Sequence, residues 1–181
     1  MRVVLDAAAV HKALTAMAEG LLARKSDAPL ALVGIRRGGE PLAQRLARLI
    51  AKKVRHEPPI GKVDITLYRD DGFGPHDWPV VGVTEIPFDL TAHTVVLVDD
   101  VLYSGRTVRA AIDAILDYGR PRAVRLAVLV DRGLRELPIG ADVVGLSLST
   151  KPNEHVDVQL VETGAQADQV VVRAREESAR A

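Results

Sequence analysis

The stretch VVLVDDVLYSGRT, which runs from Val95 to Thr107, decides the fold class. Its apolar residues predict a short buried strand over Thr94–Val98, and two adjacent acids, Asp99 and Asp100, follow that strand. The chain then becomes small and polar, before an amphipathic pattern predicts a helix over Thr107–Tyr118. A buried strand that leads through a tight loop into a helix is typical of an α/β protein with a parallel sheet.

The two acids and the loop after them predict a ligand site, because ligands of open parallel sheets bind beyond the carboxyl ends of the strands. Exposed N–H groups at the start of the helix favour an anion, Gly105 allows close backbone approach, and Ser104 and Thr107 add hydroxyl donors. Carboxylates repel phosphate, so Asp99 and Asp100 suit the vicinal hydroxyls of a ribose or a bound Mg²⁺. The stretch therefore predicts a sugar phosphate as the ligand. An acid/base pair for hydrolysis and a solvated turn are weaker alternatives.

Strand and helix patterns alternate along the rest of the chain. In chain order they are a helix capped by Asp6 with apolar positions Val10, Leu14, Met17, Leu21 and Leu22, a strand over 29–35, a helix around 42–50, a strand over 63–68, a loop over 69–82, a strand over 123–130 and a hairpin over 155–173. We expect one domain over 1–181, with a central, mostly parallel sheet flanked by helices and a β-hairpin appendage. A long flexible loop is expected at about 69–84 and a frayed tail at 174–181.

Composition narrows the class of protein further. The 181 residues suffice for one domain with a core, and the absence of cysteine excludes disulfides, thiol catalysis and thiolate metal sites. No apolar run approaches the roughly 18 residues of a membrane span, and no signal pattern opens the chain, which fits a cytoplasmic protein. Residues 1–62 hold 12 lysines and arginines against 5 acids, and residues 63–181 hold 12 against 19. The basic part indicates either contact with nucleic acid or phosphate, or solvated helix faces.

The stretch from Val95 to Thr107 closely resembles the phosphoribosyl-pyrophosphate (PRPP) binding motif of the type I phosphoribosyltransferases. Three further stretches, over 63–71, 119–122 and 126–133, resemble the PyrR family, and the likeness spans roughly residues 5 to 162. Members of that family are uracil phosphoribosyltransferases that also regulate attenuation of the pyrimidine operon. The resemblance implies the type I fold with a small hood and a hairpin appendage. It also implies conversion of uracil and PRPP to UMP and pyrophosphate, Mg²⁺ as cofactor, and a homodimer or larger assembly.

The resemblance further implies a role for each candidate residue. Asp99 and Asp100 bind the ribose hydroxyls, directly or through Mg²⁺, while Arg69 and Asp70 begin a catalytic loop that closes over the site. The implied substrate-binding residues are Ser104, Gly105, Arg106 and Thr107 at the 5′-phosphate with Tyr103 beside them, Arg36, Arg37 and Gly38 at the pyrophosphate, and Asp131 and Arg132 near the base. Asp131 and Arg132 could instead form an ion pair that stabilises the end of the strand. Arg69 could instead form a surface salt bridge.

The glycine-rich turn after the strand predicted over 29–35 departs from the family. Relatives usually carry Gly-Ile-X-Thr-Arg-Gly there, a turn that binds pyrophosphate, whereas this chain reads Gly-Ile-Arg-Arg-Gly-Gly from Gly34 to Gly39. Arg37 stands at the threonine position and Gly38 at the arginine position. We expect phosphate binding to survive, because two arginines sit beside flexible backbone.

Five positions on the RNA-binding side of the family also differ; they are Ala16, Glu19, Leu134, Gly140 and Leu146. Four of these differences remove a group that can carry positive charge, and Glu19 introduces an acid. The sequence therefore predicts weakened or lost binding to the leader mRNA of the pyrimidine (pyr) operon, although the basic first third argues the other way. Two alternatives stay open: a nucleotide-sensing, RNA-binding attenuator with little catalysis, and a phosphoribosyltransferase for another base, such as hypoxanthine or orotate.

Overall fold

Three helices and eight strands make up the fold in a computed structural model that describes residues 1–70 and 81–174. The helices are α1 (Ala7–Ala23), α2 (Gly39–Val54) and α3 (Arg106–Leu116). The strands are β1 (Arg2–Leu5), β2 (Leu30–Ile35), β3 (Ile60–Val63), β4 (Thr94–Leu102), β5 (Ala123–Asp131), β6 (Val143–Ser147), β7 (Glu154–Gln159) and β8 (Gln169–Ala174). None of the helices in these ranges is long and apolar enough to cross a membrane.

Five strands form a parallel sheet in the order β3-β2-β4-β5-β6, which confirms the predicted α/β class. The central strand, β4, is buried on both faces: Val96 and Val98 contact the core under α1 and α2, and Val95 and Leu97 contact the core under α3. Burial on both faces explains why its sequence is an unbroken apolar run.

The strand β4 is longer than its apolar pattern predicts. Its pairing with β2 stops at Val98, opposite Gly34, but its pairing with β5 continues to Leu102, opposite Asp131. The prediction that the strand ends at Val98 is therefore wrong. The two acids lie within β4, on the part that extends past β2 and remains paired on its other side only.

Other elements also depart from prediction. The strand predicted over 63–68 lies earlier, in β3, because the Asp64 side chain accepts a hydrogen bond from the Thr66 N–H (2.9 Å) and starts a 3₁₀ turn over Thr66–Tyr68. The helix α3 ends at Leu116, two residues before the predicted end, and Tyr118 lies outside it and is exposed. The strands β1 and β6 were not predicted. Most of the predicted long loop and the predicted frayed tail lie outside the described residues.

The predicted C-terminal hairpin is confirmed and gains a third strand. Strands β7 and β8 pair antiparallel, from Glu154 opposite Ala174 to Gln159 opposite Gln169. The N-terminal strand β1 pairs with the other edge of β8, which gives a small antiparallel sheet in the order β1-β8-β7.

Arg45 of α2 ties this small sheet to the main body. Its guanidinium contacts Glu162 (2.5 and 2.8 Å) and Asp168 (2.5 and 3.0 Å), which lie in the connection between β7 and β8. The hydrogen bonds from Arg45 lower the pKa of both carboxyl groups, and in return they raise the pKa of Arg45. All three side chains are only partly exposed, so the pairs are screened less than ordinary surface ion pairs.

Substitution Arg45→Met should lower the free energy of unfolding at pH 7 by about 2 kcal/mol, mostly through Asp168, because solvent screens the more exposed Glu162. The folded-state pKa values of the two acids are depressed, so their contribution is present above their unfolded pKa values and is lost as the pH falls through the folded ones. Urea unfolding of both proteins from pH 7 to pH 3 should show the difference closing at acid pH. Arg173→Met, which removes an exposed pair with Asp157 on the same sheet, is the control and should change little. A difference that does not vary with pH would contradict the assignment.

Candidate active site

A cleft of about 470 Å³ opens at the carboxyl edge of the parallel sheet. It is lined by Arg36, Arg37, Gly38, Asp64, Ile65, Thr66, Arg69, Asp99, Asp100, Val101 and Thr107. The cleft therefore brings together the predicted pyrophosphate turn, the two acids and the end of the predicted phosphate loop, which are far apart in the sequence. Asp64 and Thr66 were not among the predicted site residues, although they lie in a stretch that resembles the family.

The turn after β2 presses against β4. A Cβ atom built on Gly39 would lie 2.0 Å from the carbonyl oxygen of Val98, and one built on Gly38 would lie 2.3 Å from Oδ2 of Asp100. Only glycine fits such contacts without displacing its neighbour. The absence of a side chain at position 38 therefore lets the turn lie directly against the Asp100 carboxylate.

The two arginines of this turn differ in their surroundings. The Arg36 side chain donates a long hydrogen bond to the carbonyl of Val83 (3.4 Å), and the peptide that joins Arg36 to Arg37 is cis. Arg37 is exposed and makes no hydrogen bond or ion pair with residues 1–70 or 81–174. Arg37 is thus a cation on the cleft wall that remains available to an anionic ligand.

The adjacent acids have different environments. Asp99 is only 5% exposed, and burial together with the neighbouring Asp100 carboxylate raises its pKa well above the usual range. Its Oδ1 accepts a hydrogen bond from the Asp100 N–H (3.0 Å), and Oδ1 of Asp100 accepts one from the Val101 N–H (2.8 Å). Oδ2 of Asp100 faces the glycine turn. Asp100 is therefore the carboxylate that is better placed for a polar ligand in the cleft.

The predicted phosphate loop is held from behind by the segment after β5. The carbonyl oxygen of Ser104 accepts hydrogen bonds from the N–H groups of Glu136 and Leu137, both at 3.0 Å. Gly105 has a positive φ of 92°, and Leu137 and Ile139 fill the space where a side chain would project. The loop is thus fixed where α3 begins. The Arg106 N–H donates to Oγ of Ser104 (3.3 Å), which leaves the N–H groups of Thr107 and Val108 in the first helical turn available to an anion.

Arg106, predicted at the 5′-phosphate, uses its side chain elsewhere. Its guanidinium contacts Asp70 (2.7 Å) and Glu136 (2.7 Å), while Arg109 one turn later donates to the carbonyl of Tyr68 (2.8 Å). The predicted loop residue Asp70 is thereby attached to the start of α3. In this arrangement the Arg106 guanidinium is engaged with the two acids, and the Arg106 backbone N–H is the group that lies in the phosphate loop, where it donates to Oγ of Ser104 (3.3 Å).

Asp131 and Arg132 do not pair with each other. Asp131 forms an ion pair with Arg135 (2.5 Å), so the strand-end ion pair considered as its alternative role exists with a different partner. Arg135 also donates to the carbonyls of Tyr103 (2.9 Å), Gly133 (3.2 Å) and Ile139 (2.8 Å). Arg135 thus connects the end of β5 to the phosphate loop. The sequence analysis did not identify Arg135, and the only hint of its ion pair was its position four residues after Asp131.

Residues 4–163 match the phosphoribosyl transferase domain family, and the chain belongs to it. Proteins named "Bifunctional protein PyrR" from Syntrophobacter fumaroxidans and Roseiflexus sp. (strain RS-1) are 51% and 49% identical to it. These alignments cover 94% and 93% of this chain and 92% and 93% of those proteins. Within the phosphoribosyltransferases, the chain is thus a member of the PyrR family.

Solved structures share the fold at low sequence identity. Hypoxanthine phosphoribosyltransferase from Trypanosoma cruzi in complex with the product IMP gives a TM-score of 0.69 at 16% identity, over 97% of this chain and 90% of that one. A hypoxanthine-guanine phosphoribosyltransferase from Bacillus anthracis gives 0.69 at 15% identity, over 96% and 98%. These similarities establish the type I phosphoribosyltransferase fold and carry no information on the base.

Substitution Gly38→Ala tests the contact between the turn and Asp100. The added Cβ would overlap the carboxylate, so we expect kcat/KM for PRPP to fall by about 10- to 100-fold. Steady-state kinetics with a melting curve measure this effect. Gly140→Ala is the control, because a Cβ at that exposed glycine meets nothing within 4 Å. Unchanged kinetics in Gly38→Ala would show that the turn and the carboxylate do not depend on each other.

Proposed function

We propose that this protein transfers the phosphoribosyl group of PRPP to uracil, which gives UMP and pyrophosphate. The observation that carries the proposal is the cleft in which the Arg36–Gly38 turn, the Asp100 carboxylate and the start of α3 converge. The turn suits the pyrophosphate, the carboxylate suits the ribose hydroxyls, and the helix start suits the 5′-phosphate. The PyrR relatives support uracil as the base.

The reaction replaces one bond at C1′ of the ribose. The bond from C1′ to the pyrophosphate oxygen breaks, a bond from C1′ to N1 of uracil forms, and the N1 proton leaves to solvent or to the pyrophosphate. Negative charge develops on the leaving pyrophosphate, and Arg36 and Arg37 are the cations on that wall of the cleft. No covalent nucleophile is required, so the protein acts by positioning the two reactants and stabilising the leaving group.

A Mg²⁺ ion fits this site as a cation shared between protein and substrate. The described residues contain no cluster of three or more side chains that could hold a metal by themselves. Asp100, with Asp99 behind it, offers oxygen ligands of the kind that Mg²⁺ prefers, and the phosphates of PRPP would supply most of the others. When bound, the ion would neutralise charge on the pyrophosphate.

Product analysis with uracil, hypoxanthine and orotate in parallel, each with PRPP and Mg²⁺, tests the proposal. We expect UMP alone, and we expect Asp100→Asn to reduce its formation by about 100-fold or more. Asp113→Asn is the matched control, because Asp113 forms an exposed i,i+4 pair with Arg109 on α3, outside the cleft. A different nucleotide product would show that the substrate base is not uracil. The absence of any product from a protein that binds PRPP would favour a nucleotide sensor over an enzyme.

We propose in addition that binding to pyrimidine-operon leader mRNA is weak or lost in this protein. Ala16 and Glu19 are exposed on α1, and Glu19 also forms an ion pair with Lys53 (2.8 Å), which reduces the positive charge of this surface. The helix α1 packs against β6, where Gly20 lies against Val143, and β6 also contains Leu146, another of the five differing positions. Fewer positive charges release fewer counterions from RNA, which lowers affinity. The expected dimer or larger assembly and the cytoplasmic location stay predictions.

Titration of labelled leader RNA at physiological salt tests the second proposal. We expect a dissociation constant above about 1 µM, in the range of non-specific binding. Ala16→Arg alone, and more so the double variant with Glu19→His, should bind more tightly, whereas Ala8→Arg, which adds the same charge as Ala16→Arg at another exposed position of α1, should not. Submicromolar binding by the unmodified protein would overturn the idea.

A further inference from the structure

We infer that Arg132 is a positioning residue for the nucleobase, and that it acts through the segment from Leu148 to Asn153 without contacting the base itself. The inference rests on the proposed phosphoribosyl transfer and adds which part of the chain recognises the base. It starts from an unusual feature of Arg132, which is only 5% exposed although it carries a charge. Arginine is rarely buried to this extent unless it is paired.

The groups around Arg132 are neutral. Its Nε donates to Oγ1 of Thr150 (3.0 Å), and its Nη2 donates to the carbonyls of Lys151 (3.2 Å) and Glu154 (2.7 Å). The ring of Tyr103 covers the guanidinium, with Cζ 4.4 Å from the ring centroid. Among the described residues no carboxylate forms an ion pair with it. A cation buried among neutral oxygens is costly as a means of stabilising a fold, because no opposite charge offsets its lost hydration.

These bonds fix a segment that has no regular structure of its own. Residues 148–153 connect β6 to β7, and Lys151, Pro152 and Asn153 are exposed. The Leu148 N–H donates to the carbonyl of Asp131 (2.8 Å), which holds one end of the segment. Arg132 bonds to Thr150, Lys151 and Glu154 together, so it links the middle of the segment to the first residue of β7. Glu154 closes the turn between them, since its Oε2 accepts from the Lys151 N–H (2.8 Å) and its own N–H donates to the Lys151 carbonyl (3.0 Å).

The segment presents an open row of backbone groups. Within the described part of the chain, the N–H and C=O groups of Ser149 and Thr150 take part in no hydrogen bond with protein. Uracil carries alternating C=O and N–H groups along its edge, and backbone donors and acceptors in a fixed order are suited to such an edge. The Thr150 side chain that Arg132 holds lies directly beside these open groups.

The order of strands places the segment on the side from which the base must approach. The pyrophosphate turn follows β2, the acids lie on β4, and the segment follows β6, in a sheet ordered β3-β2-β4-β5-β6. In a displacement at C1′, the incoming N1 of uracil approaches opposite the leaving oxygen. With the pyrophosphate on the β2 side, the base enters from the side of β5 and β6, where Tyr103, Arg132 and the segment lie.

Calorimetric titration with UMP and with ribose 5-phosphate distinguishes a role of Arg132 in positioning the base from a role in the stability of the whole site. The two ligands share the ribose and the phosphate, and only UMP carries the base. Arg132→Met should weaken UMP binding by about 10-fold or more and leave ribose 5-phosphate within about 2-fold. Arg132→Lys keeps the charge but not the fork of donors, so it should restore only part of the UMP affinity. In turnover, KM for uracil should rise more than KM for PRPP.

Arg125→Met is the matched control. Arg125 lies at the opposite end of β5 and also donates to a backbone carbonyl, that of Lys25, so its loss should leave both affinities unchanged. Equal weakening of UMP and ribose 5-phosphate by Arg132→Met, or no change in either, would overturn the inference. If Arg132→Met does not fold, Thr150→Ala, which removes the acceptor of the Nε bond together with the long hydrogen bond that the Thr150 hydroxyl donates to the Arg132 carbonyl (3.4 Å), must show the same preferential loss of UMP for the inference to stand. Failure of the proposed transfer itself would appear separately, as absence of UMP formation by the unmodified protein.

Discussion

The close approach of the glycine turn to β4 is the constraint on which the site depends. The backbone of Gly39 lies against the carbonyl of Val98, and Gly38 lies against the carboxylate of Asp100. This contact is possible because β4 extends past its pairing with β2 and leaves the edge of the strand open to the turn. The cleft walls that suit the pyrophosphate and the ribose are therefore one packed unit.

A second unit supports the opposite wall. The segment from Gly133 to Ile139 holds the phosphate loop through the Ser104 carbonyl and through the side chain of Arg135. Arg106 then links this segment to Asp70. Most arginines near the cleft thus serve to fix backbone and neighbouring acids in place, whereas Arg37 is left to a ligand. This division fits a reaction in which the substrates carry the charge and the protein supplies position.

The sequence predicted the parts of the fold that local patterns determine. The apolar run of β4 follows from burial on both faces, and the loop from Tyr103 to Thr107 follows from its small residues before a helix. The strand β6 escaped prediction because Gly145 interrupts it, and that glycine is there for a tertiary reason: a Cβ would lie 2.7 Å from the carbonyl of Leu129. Arg135 escaped, and the contacts of Arg132 could not be foreseen, for the same kind of reason: their acceptors include backbone carbonyls that only the folded chain brings near.

The small sheet that joins the two ends of the chain affects the order in which the protein can form. Arg2 of β1 pairs with Val172 of β8, whereas every strand of the parallel sheet lies between them in sequence. During synthesis β1 is made before every other strand, and its pairing partner β8 is made after all of them. The strands of the parallel sheet can therefore pair while β1 is still unpaired. Pairings between such distant residues form slowly because a long loop must close. The strands that carry the cleft can therefore pair before β1 and β8 do, and until then β1 has an open edge that can pair with another chain.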